Sequence, residues 1–184
     1  MLEGLHESII NRCKKKKLFR IVPEFDEIHE QFERMQTASQ MPICFRGGIF
    51  HKDWNIYSTK EQFKICWSIE VLNRLVQQEK SQPNKFLIEQ LEHQYDDLDE
   101  IKVKQYELQD KIAPIIVVDY YGKLLVVDGN HRLQSRINKR EKSIIGYYIP
   151  ANIHTKALFN EQSFAIYTYY HNCNILAKIC QEKN

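Results

Sequence analysis

The stretch IIVVDYYGKLLVVDGN, residues 115–130, constrains the fold more than any other part of the chain. Two short aliphatic, β-branched runs, 115–118 and 124–127, flank Tyr120-Tyr121-Gly122-Lys123. Branched side chains suit a pleated, half-buried surface, and glycine accepts the positive φ of a tight turn, so the spacing predicts two paired strands. Pro114 opens the first. The second stops at Asp128-Gly129, residues 133–138 take up helical spacing, and 144–149, closed by Pro150, reads as a third strand. Upstream, Phe86-Leu87-Ile88 is a candidate strand and 101–108 a candidate helix. Strands mixed with helices predict an α+β fold, a small mixed β-sheet with helices, rather than a bundle.

The first eighty residues have a different texture and predict a helical N-terminal extension. Leu2, Leu5, Ile9 and Ile10 open an amphipathic segment that runs into Lys14–Lys17, and Phe25, Ile28, Phe32 and Met35 recur at intervals of three and four. Residues 42–57, with Gly47-Gly48, read as loop with a short strand; Phe45-Arg46-Gly47-Gly48 lacks the Gly-Lys-Ser/Thr of a phosphate loop. A further helix is expected after Ser58 or Thr59, with Thr59 and Gln62 at capping-box spacing and Phe63, Cys66, Trp67, Val71, Leu72, Leu75 and Val76 as its buried stripe. That helix must end at Ser81-Gln82-Pro83, where proline removes a donor. The expected division is therefore 1–83, a helical region; 84–155, the strand-rich domain; and 156–184, a C-terminal helical segment carrying Phe164, Ile166, Tyr167, Tyr170, Ile175, Leu176 and Ile179.

Composition narrows the function classes. The 26 basic residues nearly cancel the 24 acidic ones, which argues against a mainly electrostatic nucleic-acid binder, although Lys14 to Lys17, Lys139, Arg140 and Lys142 could form a local phosphate-binding surface. No apolar run approaches the roughly 20 residues that span a bilayer, so no membrane role is expected. Five widely spaced cysteines (Cys13, Cys44, Cys66, Cys173 and Cys180), with no CxxC pair, fit neither a disulfide framework nor a zinc module. A cytoplasmic setting is the expectation.

Chemistry concentrates at Asp128-Gly129-Asn130-His131-Arg132. The first amides of a helix have no internal partners and sit at its positive end, so a strand–glycine–helix corner suits an anion. Gly129 lets the backbone turn and approach a ligand closely. Asn130 is a candidate N-cap, and Arg132 a two-pronged donor to phosphate oxygens. His131 can donate or shuttle a proton near neutrality. Asp128 can hold a divalent cation or orient a hydroxyl nucleophile. A plainer account also fits: turn chemistry, with Asp128 simply pairing with Arg132. His51, Asp53 and Trp54 form a polar-aromatic cluster read as surface; His154 and His171 stand too isolated to be ligands.

The segment IAPIIVVDYYGKLLVVDGNHRLQSRINKREKSIIGYYI resembles the ParB/sulfiredoxin-like superfamily, whose members show a helix, a P-I-x-V strand, a hairpin, a short Gly-x-x-Arg box, a helix and a strand. The resemblance covers about residues 86–150. Sulfiredoxins carry a cysteine where Asn130 stands, so their sulfinic-acid repair is not expected here. Chromosome-partition ParB proteins read Gly-Glu-Arg-Arg and bind CTP; this chain keeps Gly129 and Arg132 alone. The box is most similar to the Asp-Gly-His-His-Arg of the free-serine kinase branch and related ParB-like proteins.

That resemblance implies a nucleotide-binding protein performing NTP hydrolysis or phosphoryl transfer. ATP, ADP or CTP and Mg²⁺ would be the cofactors, with Gly129, Asn130, His131 and Arg132 on the phosphates. Asp128 would be the metal ligand, and Asp128, His131 and Glu92 (or Glu89) the catalytic groups. On this reading Arg132→Ala abolishes nucleotide binding and leaves the fold intact. Two alternatives stay open. One is a ParB-like metal-dependent DNA nuclease. The other is a non-catalytic regulatory module, of plasmid or phage type, that binds a nucleotide or a protein partner through its N-terminal region.

Overall fold

The computed structural model describes residues 48–55, 62–94 and 98–182, with Asn11 and Glu30 singly. The expected helices over 2–10 and 25–35, the lysine run 14–17, the caps at Ser58 and Thr59, the Trp54 side chain and Asp96-Asp97 lie outside the described residues. So do Cys13 and Cys44, and the side chains of Cys173 and Cys180.

Strands β1 (Ile49–Asn55) and β2 (Gln62–Ser68) form a two-stranded sheet. This corrects the expectation of a helix from Thr59: residues 62–68 are extended, and helix α1 (Ile69–Gln78) begins only after them. The stripe Phe63, Cys66, Trp67 fits a helical repeat, but Ile65 and Trp67 are fully buried while Lys64 before them is exposed and Cys66 between them only half-buried, an alternation of two that pairing with β1 selects. The cap is Ser68, whose hydroxyl accepts from the Val71 amide at 3.3 Å. Ser68→Ala is therefore expected to cost about 1 kcal/mol in urea unfolding. A change in midpoint too small to measure would show that this cap does not hold α1. Cys66 is half-buried, and burial pushes its thiol up despite the opposing hydrogen bond with Ser163, which suits packing rather than nucleophilic attack.

The second sheet has the order β3-β7-β5-β6-β4, from β3 (Asn84–Leu87), β4 (Leu91–Glu92), β5 (Ile115–Tyr120), β6 (Lys123–Asp128) and β7 (Ser143–Ile149). β5 is antiparallel to β6 and parallel to β7; β3 is antiparallel to β7, and β4 is parallel to β6. Tyr121 (φ 57°) and Gly122 (φ 83°) both take positive φ, the two-residue turn whose twist matches a hairpin. The expected strands and turn of residues 115–149 are all present, with α3 (Asn130–Asn138) between β6 and β7 and α2 (Glu100–Glu107) ahead of β5.

Both sheet edges come from one short strap, since β3 and β4 are separated only by the 3₁₀ turn Ile88–Gln90. Four strand spacings in a flat sheet would put the edges about 19 Å apart. The four steps from Leu87 to Leu91 reach at most about 14 Å. The sheet must therefore curl. Its interior holds residues of both edges, Phe86 and Leu91, against Ile115, Val117, Val126 and Ile144, with Leu133 of α3 closing the core. β5 is buried on both faces, and on the far one α4 (Ala151–His154) packs against it. There the fully buried His154 accepts from Trp67 Nε1 through Nδ1 at 3.2 Å, and its Nε2 lies 2.8 Å from the Asp119 carbonyl, so it is a satisfied core histidine.

α5 (Glu161–Glu182) begins at Asn160, whose Oδ1 accepts from the Ser163 amide, and it buries Ile166, Tyr167 and Tyr169. The chain divides into two compact units, one of Arg46–Phe50 with Trp67–Ala157, the other of Met1–Phe45, His51–Cys66 and Leu158–Asn184. In the latter, His51 and Asp53 are exposed on β1, and Asp53 lies 3.9 Å from Lys64. The fold is α+β. Among the described residues no helix is long and apolar enough to cross a membrane.

Candidate functional site at the start of helix α3

β6 delivers Asp128 to the corner, and Gly129 turns the chain at φ 94°, ψ 22°. This conformation costs a side-chain-bearing residue about 1–2 kcal/mol. Glycine is needed for space as well. A Cβ here would lie 2.6 Å from Ile115 Cγ2 and 3.0 Å from both Arg132 Nε and Nη2. Gly129 is thus itself the N-cap of α3, which corrects the assignment of that role to Asn130. Once glycine takes the left-handed conformation, Asn130 falls inside the helix as its first residue.

Arg132 lies over the corner. Its Nη1 donates to the carbonyls of Pro114 (2.7 Å) and Ala113 (3.1 Å), and its Nη2 to Asp128 Oδ2 at 2.7 Å. The side chain is 12% exposed, and its bonds to Pro114 and Asp128 are part-buried while that to Ala113 is exposed. The plain pairing of Asp128 with Arg132 is what the structure contains, extended to the start of β5. Against the expectation of an intact fold, these contacts predict that Arg132→Ala also costs stability. Three of the five guanidinium N–H donors are engaged. Nε and Nη2 lie against Gly129, each 3.0 Å from where a Cβ would stand. Among the described residues the amides of Asn130, His131 and Arg132 have no hydrogen-bond partner; the first intrahelical bond is from the Leu133 amide to the Gly129 carbonyl at 2.8 Å.

The side chains of Asn130 and His131 turn sideways. Asn130 Oδ1 accepts from the Gln94 amide at 3.2 Å, just past β4. His131 Nε2 accepts from the amide of Asp99, the N-cap of α2, at 3.1 Å. At the other end of the two helices Asn138 donates to Glu107 Oε1 at 2.6 Å. Starts meet starts and ends meet ends, so α2 and α3 run parallel, with both positive ends beside the corner. Between them lies a cleft of about 400 Å³ lined by Val103, Lys104, Glu107, Gln134 and Asn138.

Asp99 caps α2 through Oδ1, which accepts from the amides of Ile101 (2.9 Å) and Lys102 (3.3 Å). The Lys102 amide, with help from that of Ile101 and the Lys102 charge, holds its carboxyl below the usual range. A lowered folded value means the cap contributes stability above the ordinary aspartate pKa of about 3.9 and loses it as pH falls through the folded value. Protection of the Ile101 and Lys102 amides from exchange should hold from neutrality to about pH 5 and fall below about pH 4. Asp99→Asn, which still accepts from both amides, should show no such acid step. An acid step of equal size in the variant would refute this assignment.

The remaining candidates lie elsewhere. Glu92, on β4, directs its carboxylate to Lys123 at the opposite end of β6 from Asp128. Glu89 is exposed in the 3₁₀ turn. Lys139, Arg140 and Lys142 follow the far end of the nine-residue α3, about 14 Å along its axis from the corner. Among the described residues no three His, Cys, Asp or Glu side chains group so as to hold a metal ion, and Asp128 is already turned onto Arg132. The described side chains at the corner do not by themselves make a protein-held Mg²⁺ site, and the chemistry they offer, amides at a helix start beside a guanidinium, is that of an anion site. The Ala113 and Pro114 carbonyls were not foreseen from sequence; they lie 19 and 18 residues before Arg132, and no local pattern announces them.

No family model matches the chain, and a search of curated proteins finds no match. Among solved structures it is similar to sulfiredoxin from Arabidopsis thaliana, at 17% identity and a TM-score of 0.35, over 38% of this chain and 86% of that one. A likeness of that size carries no argument about activity, and the α+β description rests on this chain's own sheet and helices.

Proposed function

We propose that the sheet domain binds a nucleotide, seating its phosphates against the first turn of α3, and that it is built for binding rather than turnover. One observation carries this reading: among the described residues the amides of Asn130, His131 and Arg132 have no partner, at a corner where the positive ends of two parallel helices lie side by side and the Arg132 guanidinium covers Gly129. Charge-assisted bonds from such donors are the strong ones for phosphate. Turnover is less supported, because a general base must reach the reacting proton. Asp128 is committed to Arg132 and Glu92 to Lys123, which leaves neither carboxylate free at the corner. No observation favours the nuclease alternative.

Thermal unfolding with ATP, ADP, CTP and GTP, with and without Mg²⁺, tests the reading. At a hundredfold excess over Kd a bound nucleotide adds about 2.7 kcal/mol, which raises Tm by roughly 5–10 °C for a chain of this size. An unchanged Tm with every nucleotide would sink the proposal. Steady phosphate release by the wild type, lost in a Glu92→Gln variant, would replace binding with hydrolysis.

A further inference from the structure

The box residue with the most obvious chemistry spends it on the protein. His131 Nε2 accepts from the Asp99 amide, so in this arrangement the ring is neutral and its proton sits on Nδ1. Its neighbour does the same, since Asn130 holds the Gln94 amide. These two bonds fasten both flanks of the β4–α2 connection to the first turn of α3. Asp99 in turn caps α2 with its carboxylate, so His131 sets where α2 begins.

We infer that His131 is a positioning residue of the proposed phosphate site: it acts by accepting from Asp99, keeping α2 beside and parallel to α3, and not by touching the ligand through its ring. The inference rests on the nucleotide-binding reading for its consequence, but the bond itself can be observed without any ligand. Its requirement is an acceptor, not a charge and not an acid–base group. Glutamine can supply a side-chain carbonyl in place of Nε2. Lysine supplies positive charge and no acceptor, and alanine supplies neither.

Nitrogen NMR on the unliganded full chain at mildly alkaline pH should show the His131 ring protonated at Nδ1, with a nitrogen–nitrogen coupling across the hydrogen bond to the Asp99 amide. A ring protonated at Nε2 overturns the inference whatever the variants do. In calorimetry with the nucleotide that gives the largest thermal shift, His131→Gln should keep the affinity within about twofold, because the backbone amide of residue 131 is untouched. His131→Lys and His131→Ala should each weaken it about tenfold, the equivalent of one lost hydrogen bond. Wild-type affinity in His131→Lys together with a loss in His131→Gln would mean that the ring meets the phosphate by charge, contrary to the inference. Should the wild type bind no nucleotide, the functional reading falls, and the spectrum alone still decides whether His131 holds Asp99.

Discussion

Gly129→Ala is expected to lower the unfolding free energy by about 2–5 kcal/mol, from about 1–2 for the left-handed backbone and 1–3 for crowding. The crowding has named partners: the new Cβ would meet Ile115 Cγ2 at 2.6 Å and the Arg132 guanidinium at 3.0 Å. Ile115 is fully buried in the centre of the curled sheet and cannot retreat without disturbing Val117 or Leu133. Gly122 supplies the control. Its φ of 83° carries a similar backbone cost, but nothing lies within 4 Å of an added Cβ. Gly122→Ala should therefore lose only about 1–2 kcal/mol. Urea unfolding of the two variants side by side isolates the packing contribution. Equal losses would mean that the corner is not tightly filled.

Arg132→Ala is the second large effect, and it should appear in stability and in binding together. Removing the guanidinium leaves the half-buried Asp128 carboxylate and the Ala113 and Pro114 carbonyls without their donor. Breaking one side of a buried pair costs about 3–5 kcal/mol; Asp128 is 32% exposed, so about 3 kcal/mol is the expectation here. Arg132→Lys should recover only part of it, since an ammonium cannot span three acceptors in the guanidinium's plane. Asp128→Asn separates the roles. It weakens the latch but keeps an acceptor for Nη2, and it frees Arg132 from a charge that competes with phosphate. Nucleotide affinity should rise or hold in Asp128→Asn while stability falls. A parallel fall in both would show that Asp128 serves the ligand directly.

How much of this was written in the chain follows from the range of the forces involved. The hairpin, α3 and β7 were legible because each depends on neighbours in sequence: β-branched runs, a Tyr-Gly turn, and a helix starting behind glycine. Residues 62–68 were misread because Phe63, Cys66 and Trp67 satisfy a helical repeat while Phe63, Ile65 and Trp67 satisfy an alternating one, and only pairing with β1 decides. At the corner, the residues were found but their partners were not. Arg132 reaches back to Pro114, His131 to Asp99 and Asn130 to Gln94, across 18, 32 and 36 positions, and composition says nothing at that distance.

The strap that supplies β3 and β4 also bears on how the molecule behaves in a crowded solution. An open sheet ends in rows of unpaired amides and carbonyls that can recruit another chain, the first step toward fibres. Here one rim is four residues long, with Pro83 before it and Lys85 within it, and the other is two residues long. Because a single nonapeptide forms both rims, neither can lengthen into a template without tearing the other from the core. A protease cut within 88–90 would uncouple them, and aggregation of the nicked protein, absent from the intact one, is the outcome this geometry implies.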